Sequence, residues 1–271
     1  MIRSDSVRAW IEGYAKAWET ADVPGAAALF TADATYRSHI LSRAHVGTDG
    51  IEGYWRRATG SQSDVEVQFG DPIVDEDRVV VEWWTQMTDE GADETVPGVL
   101  LLRFSGDDLC SALREYWHVA DSRVEPYPQW GKLTDGDRDA TEAAIRKWMR
   151  GYESAWRSLD PEAAANLYAD EVVYRSHPFR DPARGRAGVL DYTRNAFESE
   201  SDADPVFGEP LVSGSCAAVE YWTPVIEGGK AVTLAGCCIL TFDADGPVVG
   251  SREYWFMEDG RHDPPPEWGW R

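Results

Sequence analysis

The chain opens with large apolar residues that recur at helical spacing. Trp10, Tyr14 and Trp18 follow one another at intervals of four residues, with Ile11 beside the first. Residues at i, i+4 and i+8 share one face of a helix. The pattern therefore predicts a first helix whose aromatic face packs into a core. A second helix is predicted over residues 22–30, and a third over about 50–59.

Further along, the apolar period changes from about four to two. Alternating apolar and polar positions predict strands at about 65–70, 78–88, 95–105 and 112–121. Acidic and glycine-containing turns separate these strands. Pro97 would interrupt the hydrogen-bonded ladder of a strand unless it lies at the start of that strand or at a sheet edge.

The whole pattern then occurs a second time. Residues 10–131 align without a gap with residues 148–269, at a constant shift of 138. The strongest match is a four-residue segment, Tyr-Arg-Ser-His, at 36–39 and again at 174–177. A repeat of this length is a domain duplication and not a solenoid unit. We expect one domain at 1–131, a linker at 132–139 and a second domain at 140–271.

The order of elements in each copy is helix, helix, strand, helix and four strands, which predicts an α+β domain with a curved sheet on helices. This order resembles the nuclear transport factor 2-like superfamily, and more narrowly its SnoaL-like branch. The segments that carry the resemblance are Tyr-Arg-Ser-His-Pro-Phe at 174–179, Val-Glu-Trp-Trp at 81–84, Val-Glu-Tyr-Trp at 219–222, and Arg-Glu-Tyr-Trp at 114–117 and 252–255.

The resemblance implies two tandem cone-shaped domains, each with an antiparallel-type sheet wrapped on three helices around an apolar pocket. Relatives of this superfamily pack as homodimers, so we expect the two domains to pair as an intrachain pseudo-dimer and the chain to be a monomer. The superfamily contains isomerases, dehydratases, epoxide hydrolases, polyketide cyclases and binding modules, so the fold alone does not select an activity.

Composition narrows the classes of partner. The net charge of −22 and the pI of about 4.5 disfavour nucleic acids and anionic membrane surfaces, which require basic patches. We find no membrane-length apolar run and no signal-peptide pattern at the start. Four cysteines without ligand spacing indicate a reducing, cytoplasmic location. The histidines show no metal-ligand spacing, so we expect neither a metal nor a cofactor.

Strand parity selects the candidate site residues. Arg37 and His39 fall on one face of the first strand, and Tyr36 on the other. If the polar faces of three strands converge, each pocket contains one imidazole, one guanidinium, two carboxylates and Trp walls. The expected catalytic residues are Arg37, His39, Glu82, Glu115, Arg175, His177, Glu220 and Glu253. The expected ligand-binding residues are Tyr36, Trp84, Trp117, Tyr174, Trp222 and Trp255.

Two functions follow from this set. One is an enzyme of isomerase, lyase, cyclase or hydrolase type, in which His moves a proton of a small apolar metabolite, Glu orients or accepts it, and Arg binds developing negative charge. The alternative is a non-catalytic binding or scaffold protein, in which Arg37 forms a buried ion pair with Glu82 or Glu115 and the histidines are structural. We expect the second pocket to be the better formed, because Pro97 has no counterpart in the second copy.

Overall fold

The computed structural model describes residues 2–244 and 246–270. The chain divides into two compact units, residues 1–132 and 133–271. Residues 138 and 139, which the sequence assigned to the linker, belong to the first helix of the second unit. Asp137 caps this helix, because its carboxylate accepts hydrogen bonds from the backbone N–H groups of Asp139 and Ala140.

The first unit contains three helices and a sheet. Its helices are α1 (Ser4–Glu19), α2 (Val23–Ala27) and α3 (Gly47–Ala58). Its strands are β1 (Phe30–Arg37), β2 (His45–Val46), β3 (Gln62–Phe69), β4 (Ile73–Asp75), β5 (Arg78–Asp89), β6 (Ala92–Phe104) and β7 (Cys110–Trp117).

The second unit repeats this order. Its helices are α4 (Arg138–Ser158), α5 (Pro161–Ala165) and α6 (Gly185–Glu198), and a 3-10 turn covers Trp268–Trp270. Its strands are β8 (Tyr168–Arg175), β9 (Ala183–Arg184), β10 (Glu200–Ser201), β11 (Val206–Phe207), β12 (Leu211–Ser213), β13 (Cys216–Glu227), β14 (Lys230–Phe242) and β15 (Val248–Asp259). Each unit is thus the α+β domain that the sequence predicts.

In each unit the first long strand pairs in parallel with the last one. In the described part of the first unit the strand order is β2-β1-β7-β6-β5-β3, with β4 beside β5. The long strands β5, β6 and β7 are antiparallel neighbours, whereas β1 runs parallel to β7. In the second unit β8 runs parallel to β15 in the same way. The chain can make this parallel connection because the intervening helix and strands supply the long crossover that it needs.

Two prolines lie inside strands, at positions where the missing backbone N–H leaves no neighbouring strand without a hydrogen-bond donor. Pro97 lies in the middle of β6, a strand with neighbours on both sides, and so at neither a strand start nor a sheet edge. Its nitrogen faces the chain beyond the end of β7, where His118 donates its N–H to the Pro97 carbonyl. Pro224 in β13 faces the gap between β10 and β11, so the strand that matches β3 is broken there.

The helices differ from the predicted ones mainly at their ends. Helix α2 ends at Ala27, three residues before the predicted end, because the chain turns into β1 at Phe30. Asp22 and Asp160 cap the helices that follow them, because their carboxylates accept the backbone N–H groups of Gly25 and Ala163. Among the described residues, we find no helix with the length and apolar character that crossing a membrane requires.

The C-terminal segment of each unit lies back on its own sheet. Asp71 donates its backbone N–H to the Gly131 carbonyl at 2.6 Å, and the Trp130 ring packs edge-on against Trp84, with the ring centroids 5.6 Å apart. This close approach requires glycine on both sides, because a Cβ atom at Gly70 would lie 2.6 Å from Gly131 Cα. Gly208 and Gly269 repeat the contact in the second unit.

We predict that Gly70→Ala destabilises the first unit by about 1–3 kcal/mol, because the added methyl group forces the two backbones apart. Urea unfolding followed by tryptophan fluorescence measures the change. Gly106→Ala is the matched control, since a Cβ atom there meets nothing within 4 Å. Equal stability of the two variants would contradict the role assigned to this contact.

Candidate functional site

Each unit encloses a cavity between its helices and its sheet, of about 270 Å³ in the first unit and about 330 Å³ in the second. Besides Ala58 and Ala196, six equivalent positions line both cavities and are identical in the two copies. They are Tyr14 and Tyr152, Trp18 and Trp156, Tyr36 and Tyr174, Tyr54 and Tyr192, Glu115 and Glu253, and Trp117 and Trp255. A mostly aromatic wall with a few polar groups is the ordinary form of a small-molecule pocket.

A glycine in the central strand makes room for the ring walls. Trp83 of β5, Gly98 of β6 and Trp117 of β7 lie side by side in register and face the cavity. A Cβ atom at Gly98 would lie 2.7 Å from the Trp83 ring. Gly236 occupies the same place between Tyr221 and Trp255. The glycine therefore lets two large rings occupy neighbouring strands on the same face.

Tyrosine hydroxyls and a carboxyl group form a polar cluster in the first cavity. The hydroxyl oxygens of Tyr14 and Tyr36 are 2.6 Å apart, and the Tyr36 hydroxyl donates to Glu115 Oε1 at 3.4 Å. The Tyr54 ring lies 4.9 Å from that of Tyr36. In the second cavity Tyr174 likewise hydrogen-bonds to Glu253 and to Tyr152. In the first unit, Tyr14 comes from α1, Tyr36 from β1 and Glu115 from β7.

Burial changes the protonation of the two carboxyl groups. Glu115 is only 4% exposed, and this burial raises its pKa to about 8, although the Tyr36 hydrogen bond lowers it in part. Burial raises the pKa of Glu253 to about 7, again opposed by the bond from its tyrosine. Each carboxyl can therefore be a hydrogen-bond donor near neutral pH.

The second cavity contains an additional carboxyl group. Glu200 accepts a hydrogen bond from Trp156 Nε1 at 2.7 Å, and burial raises its pKa to about 7. The equivalent residue of the first unit is Gln62, whose amide oxygen accepts the same bond from Trp18 at 2.9 Å. The two units thus share the same hydrogen bond from a Trp indole, but only the second unit has a titratable carboxyl group at this position.

The structure corrects the predicted convergence of the polar faces. Tyr36, Glu115 and Trp117 line the first cavity, and their counterparts Tyr174, Glu253 and Trp255 line the second. The residues on the other face lie outside these cavity walls: Arg37, His39, Glu82, Trp84, Arg175, His177, Glu220 and Trp222. The parity within each strand was predicted correctly, but the faces of different strands were matched wrongly.

Pairing between strands explains the error. Tyr36 is in register with Leu113, and Arg37 with Arg114, so Tyr36 shares the face of Glu115 and Arg37 does not. Likewise Glu82 is in register with Val99, and Val99 with Tyr116, on the face away from the cavity.

These outward residues have partners of their own. Arg37 Nη1 donates to the Ser42 carbonyl, and the Trp84 and Trp222 indoles donate to the carbonyls of Val124 and His262. Glu220 accepts the Gly269 N–H at 3.0 Å.

His177 lies behind the wall of the second cavity, with its ring 6.4 Å from that of Trp255. Its Nδ1 accepts the Phe179 N–H at 3.2 Å. Burial, together with the nearby Arg180 charge, lowers its pKa to about 4, so the imidazole is neutral at pH 7. The proton-shuttle role that the sequence suggested for His177 therefore has no support in this geometry.

Several residues that line the cavities were not among the predicted site residues, including Tyr14, Tyr54, Tyr152, Tyr192 and Glu200. The aromatic face of the first helix packs into the core as predicted, and its Tyr14 and Trp18 also line the cavity. The repeat itself held a signal, because Tyr14 and Tyr54 recur exactly at the shift of 138. Glu200 was not recoverable in this way, since its counterpart is Gln62.

Comparisons with known proteins point to one family. A family model described as SnoaL-like domain matches residues 7–112 and 133–250. Steroid Delta-isomerase of Nocardioides simplex is 25% identical over 117 residues, which are 43% of this chain and 94% of that protein.

Two solved structures are also similar. One is a hypothetical protein with a ketosteroid isomerase-like fold from Catenulispora acidiphila, in complex with trimethylamine, at 26% identity, 40% of this chain, 83% of that chain and a TM-score of 0.37. The other is RV0760c from Mycobacterium tuberculosis, at 14% identity, 44% of this chain, 98% of that chain and a TM-score of 0.40.

We predict that the protein becomes less stable as the pH rises from about 5 to 8. Burial raises the folded-state pKa values of Glu115 and Glu253 above the ordinary 4.5, so the folded chain retains protons that the unfolded chain has released. Each carboxyl contributes a loss of about 1.4 kcal/mol per pH unit within its window.

Urea unfolding at several pH values measures this loss. Glu115→Gln removes the contribution of Glu115 and Glu253→Gln that of Glu253, whereas replacing the exposed Glu12 by Gln serves as the control. Identical pH dependence in all four proteins would show that these carboxyls ionise in the folded state as they do in the unfolded chain.

Proposed function

The chain belongs to the SnoaL-like domain family, with one domain in each half, and from that premise we propose that its second unit is an isomerase-type enzyme. It acts on a small, apolar carbonyl compound and moves a proton by acid–base catalysis with its own side chains. The observation that carries this proposal is the pair of buried carboxyl groups, Glu253 and Glu200, that line one aromatic cavity and both have a pKa of about 7.

Two such groups can take opposite roles at neutral pH. Protonated Glu253, with the Tyr174 hydroxyl beside it, donates hydrogen bonds to the substrate oxygen. The ionised form of Glu200 accepts a proton from the carbon next to the carbonyl group. A general acid or base is most effective when its pKa lies near the working pH, because both protonation states are then available.

The proposed reaction is a proton shift within the substrate, with no net gain or loss of protons. Glu200 removes a proton from the α-carbon, and the electrons of that C–H bond form an enolate whose oxygen is stabilised by Tyr174 and Glu253. Glu200 then delivers the proton to the far carbon of the conjugated system, which shifts the double bond. Trp156, Tyr192 and Trp255 supply apolar walls for the carbon skeleton.

The first unit has the donor cluster, but it has an amide at the position of Glu200. Glu115 and Tyr36 correspond to Glu253 and Tyr174, while Gln62 takes the place of Glu200. An amide cannot accept the proton, so we assign proton transfer to the second unit. The name of the curated relative, a steroid isomerase, supports the reaction type.

A non-catalytic binding protein is the second candidate, and the largely aromatic lining of both cavities favours it. Rings alone bind an apolar ligand without any proton transfer. The two candidates differ in one measurable property, namely whether a bound ketone exchanges its α-protons.

We predict that the protein isomerises β,γ-unsaturated ketones, tested from 3-cyclohexen-1-one up to Δ5-3-ketosteroids. Conjugation is followed by ultraviolet absorbance, and α-proton exchange by NMR in deuterium oxide. Glu200→Gln lowers kcat by about 100-fold or more with little change in KM, because it removes the proton acceptor and keeps the Trp156 contact.

The exposed Glu198→Gln is the matched control and keeps full activity. Gln62→Glu in the Glu200→Gln background tests whether the first unit can acquire the reaction. If ketones bind, as shown by quenching of tryptophan fluorescence, but none is isomerised or exchanged, the binding protein is the correct description and the enzyme proposal fails.

A further inference from the structure

The first cavity differs from the second in its charge. Its described lining contains three acidic side chains and no Lys, Arg or His. Seven aromatic residues supply most of the remaining wall: Tyr14, Trp18, Tyr36, Tyr54, Trp55, Trp83 and Trp117. The acidic residues are Asp89, Glu94 and Glu115. Such a cavity repels anions and offers ring surfaces with negative faces.

The rings meet at steep angles and form a box. The Trp18 ring makes an interplanar angle of 70° with Trp55 at 6.5 Å between centroids, and of 59° with Trp83 at 5.0 Å. Tyr14 stands at 84° to Trp55, with 5.1 Å between centroids. Walls that are inclined in this way surround a ligand on several sides. Aromatic boxes of this kind bind alkylated ammonium groups by cation–π attraction.

An unsatisfied carboxylate oxygen lies in the same wall. Asp89 Oδ1 is buried and has no hydrogen-bond partner among the described residues. A buried anionic oxygen without a partner costs free energy, which a cation in the cavity would recover. The indole N–H groups of Trp55 and Trp83 are likewise buried and have no acceptor in the part of the chain that the structure describes.

The mouth of the cavity carries the same sign of charge. Glu94, at the start of β6, has its pKa raised first by burial and then by the carboxylates of Asp89, Asp121 and Glu90. These like charges create a negative potential where a ligand enters. A cation is therefore attracted to this opening, and an anion is repelled from it.

We propose that the cavity of the first unit binds a small organic ammonium ion, with its alkyl groups against Trp18, Trp55 and Trp83 and its charge facing Asp89. A volume of about 270 Å³ admits an ammonium head group with a short hydroxyalkyl chain. Proton transfer in the second unit is a separate matter, because it uses a different cavity and different residues.

The second cavity keeps an acidic residue, Glu227, at the position of Asp89, but it lacks the Trp box. Thr193 replaces Trp55 and Tyr221 replaces Trp83, which opens the ring box. Arg180 enters the lining, and its positive charge already lowers the pKa of His177. The duplicated cavities thus differ in their ring walls and in the presence of one guanidinium group.

Isothermal titration calorimetry of the full chain with choline tests the proposal, and 3,3-dimethyl-1-butanol is the neutral ligand of the same shape. We expect choline to bind at least tenfold more tightly than the alcohol. Asp89→Asn weakens choline binding by about tenfold or more and leaves the weak binding of the alcohol unchanged. Glu12→Gln, which removes an exposed charge that is neither in the cavity wall nor in this acidic cluster, changes choline binding by no more than about twofold.

Trp55→Thr, which introduces the residue found in the second unit, is the second variant and also abolishes tight choline binding. Circular dichroism checks that both variants remain folded, and if one unfolds the other decides the matter. Equal affinity for choline and its neutral counterpart, absence of binding heat with choline, or unchanged choline binding in a folded Asp89→Asn protein would each overturn the proposal. Ketone isomerisation is measured separately, so failure here is distinct from failure of the proposed enzyme.

Discussion

The parallel pairing of the opening strand with the last strand determines the interior of each unit. In the first unit β1 and β7 are joined in register, with Tyr36 next to Leu113. Side chains in register share a face, so this one alignment places the tyrosine on the side of Glu115 and turns Arg37 away from the cavity. A shift by one residue would place a guanidinium where the phenol now lies. The second unit repeats this alignment with Tyr174 and Ser251.

The cavity combines two requirements that normally oppose each other. A carboxyl group that is buried among aromatic rings loses its hydration, and the folded chain compensates by keeping it protonated and bonded to a tyrosine hydroxyl. The same arrangement gives a donor with a pKa close to neutrality, which is what acid–base chemistry needs. Gly98 and Gly236 make the arrangement possible, since a side chain there would collide with the neighbouring ring.

Duplication has let the two cavities change independently. The hydrogen bond from Trp18 to Gln62 and the bond from Trp156 to Glu200 have the same geometry, so the exchange of an amide for an acid left the local structure intact. Beside this shared bond, the first cavity has Trp55 and Trp83 where the second has Thr193 and Tyr221. The second gained a titratable carboxyl and Arg180. A common fold therefore carries two differently lined cavities in one chain.

The sequence by itself determined the duplication, the α+β class, the order of the elements and the parity of each strand. These properties depend on local periodicity and on identical residues at a fixed shift. Both can be read directly from the amino-acid sequence. The tertiary structure alone decided which faces of different strands look into one cavity, because register between β1 and β7 joins residues almost eighty positions apart. It also decided that Tyr14, predicted as core, lies against the cavity, and that Glu115 rather than Arg37 or His39 is its buried polar group. Packing sets these outcomes, and no pattern within a single strand encodes them.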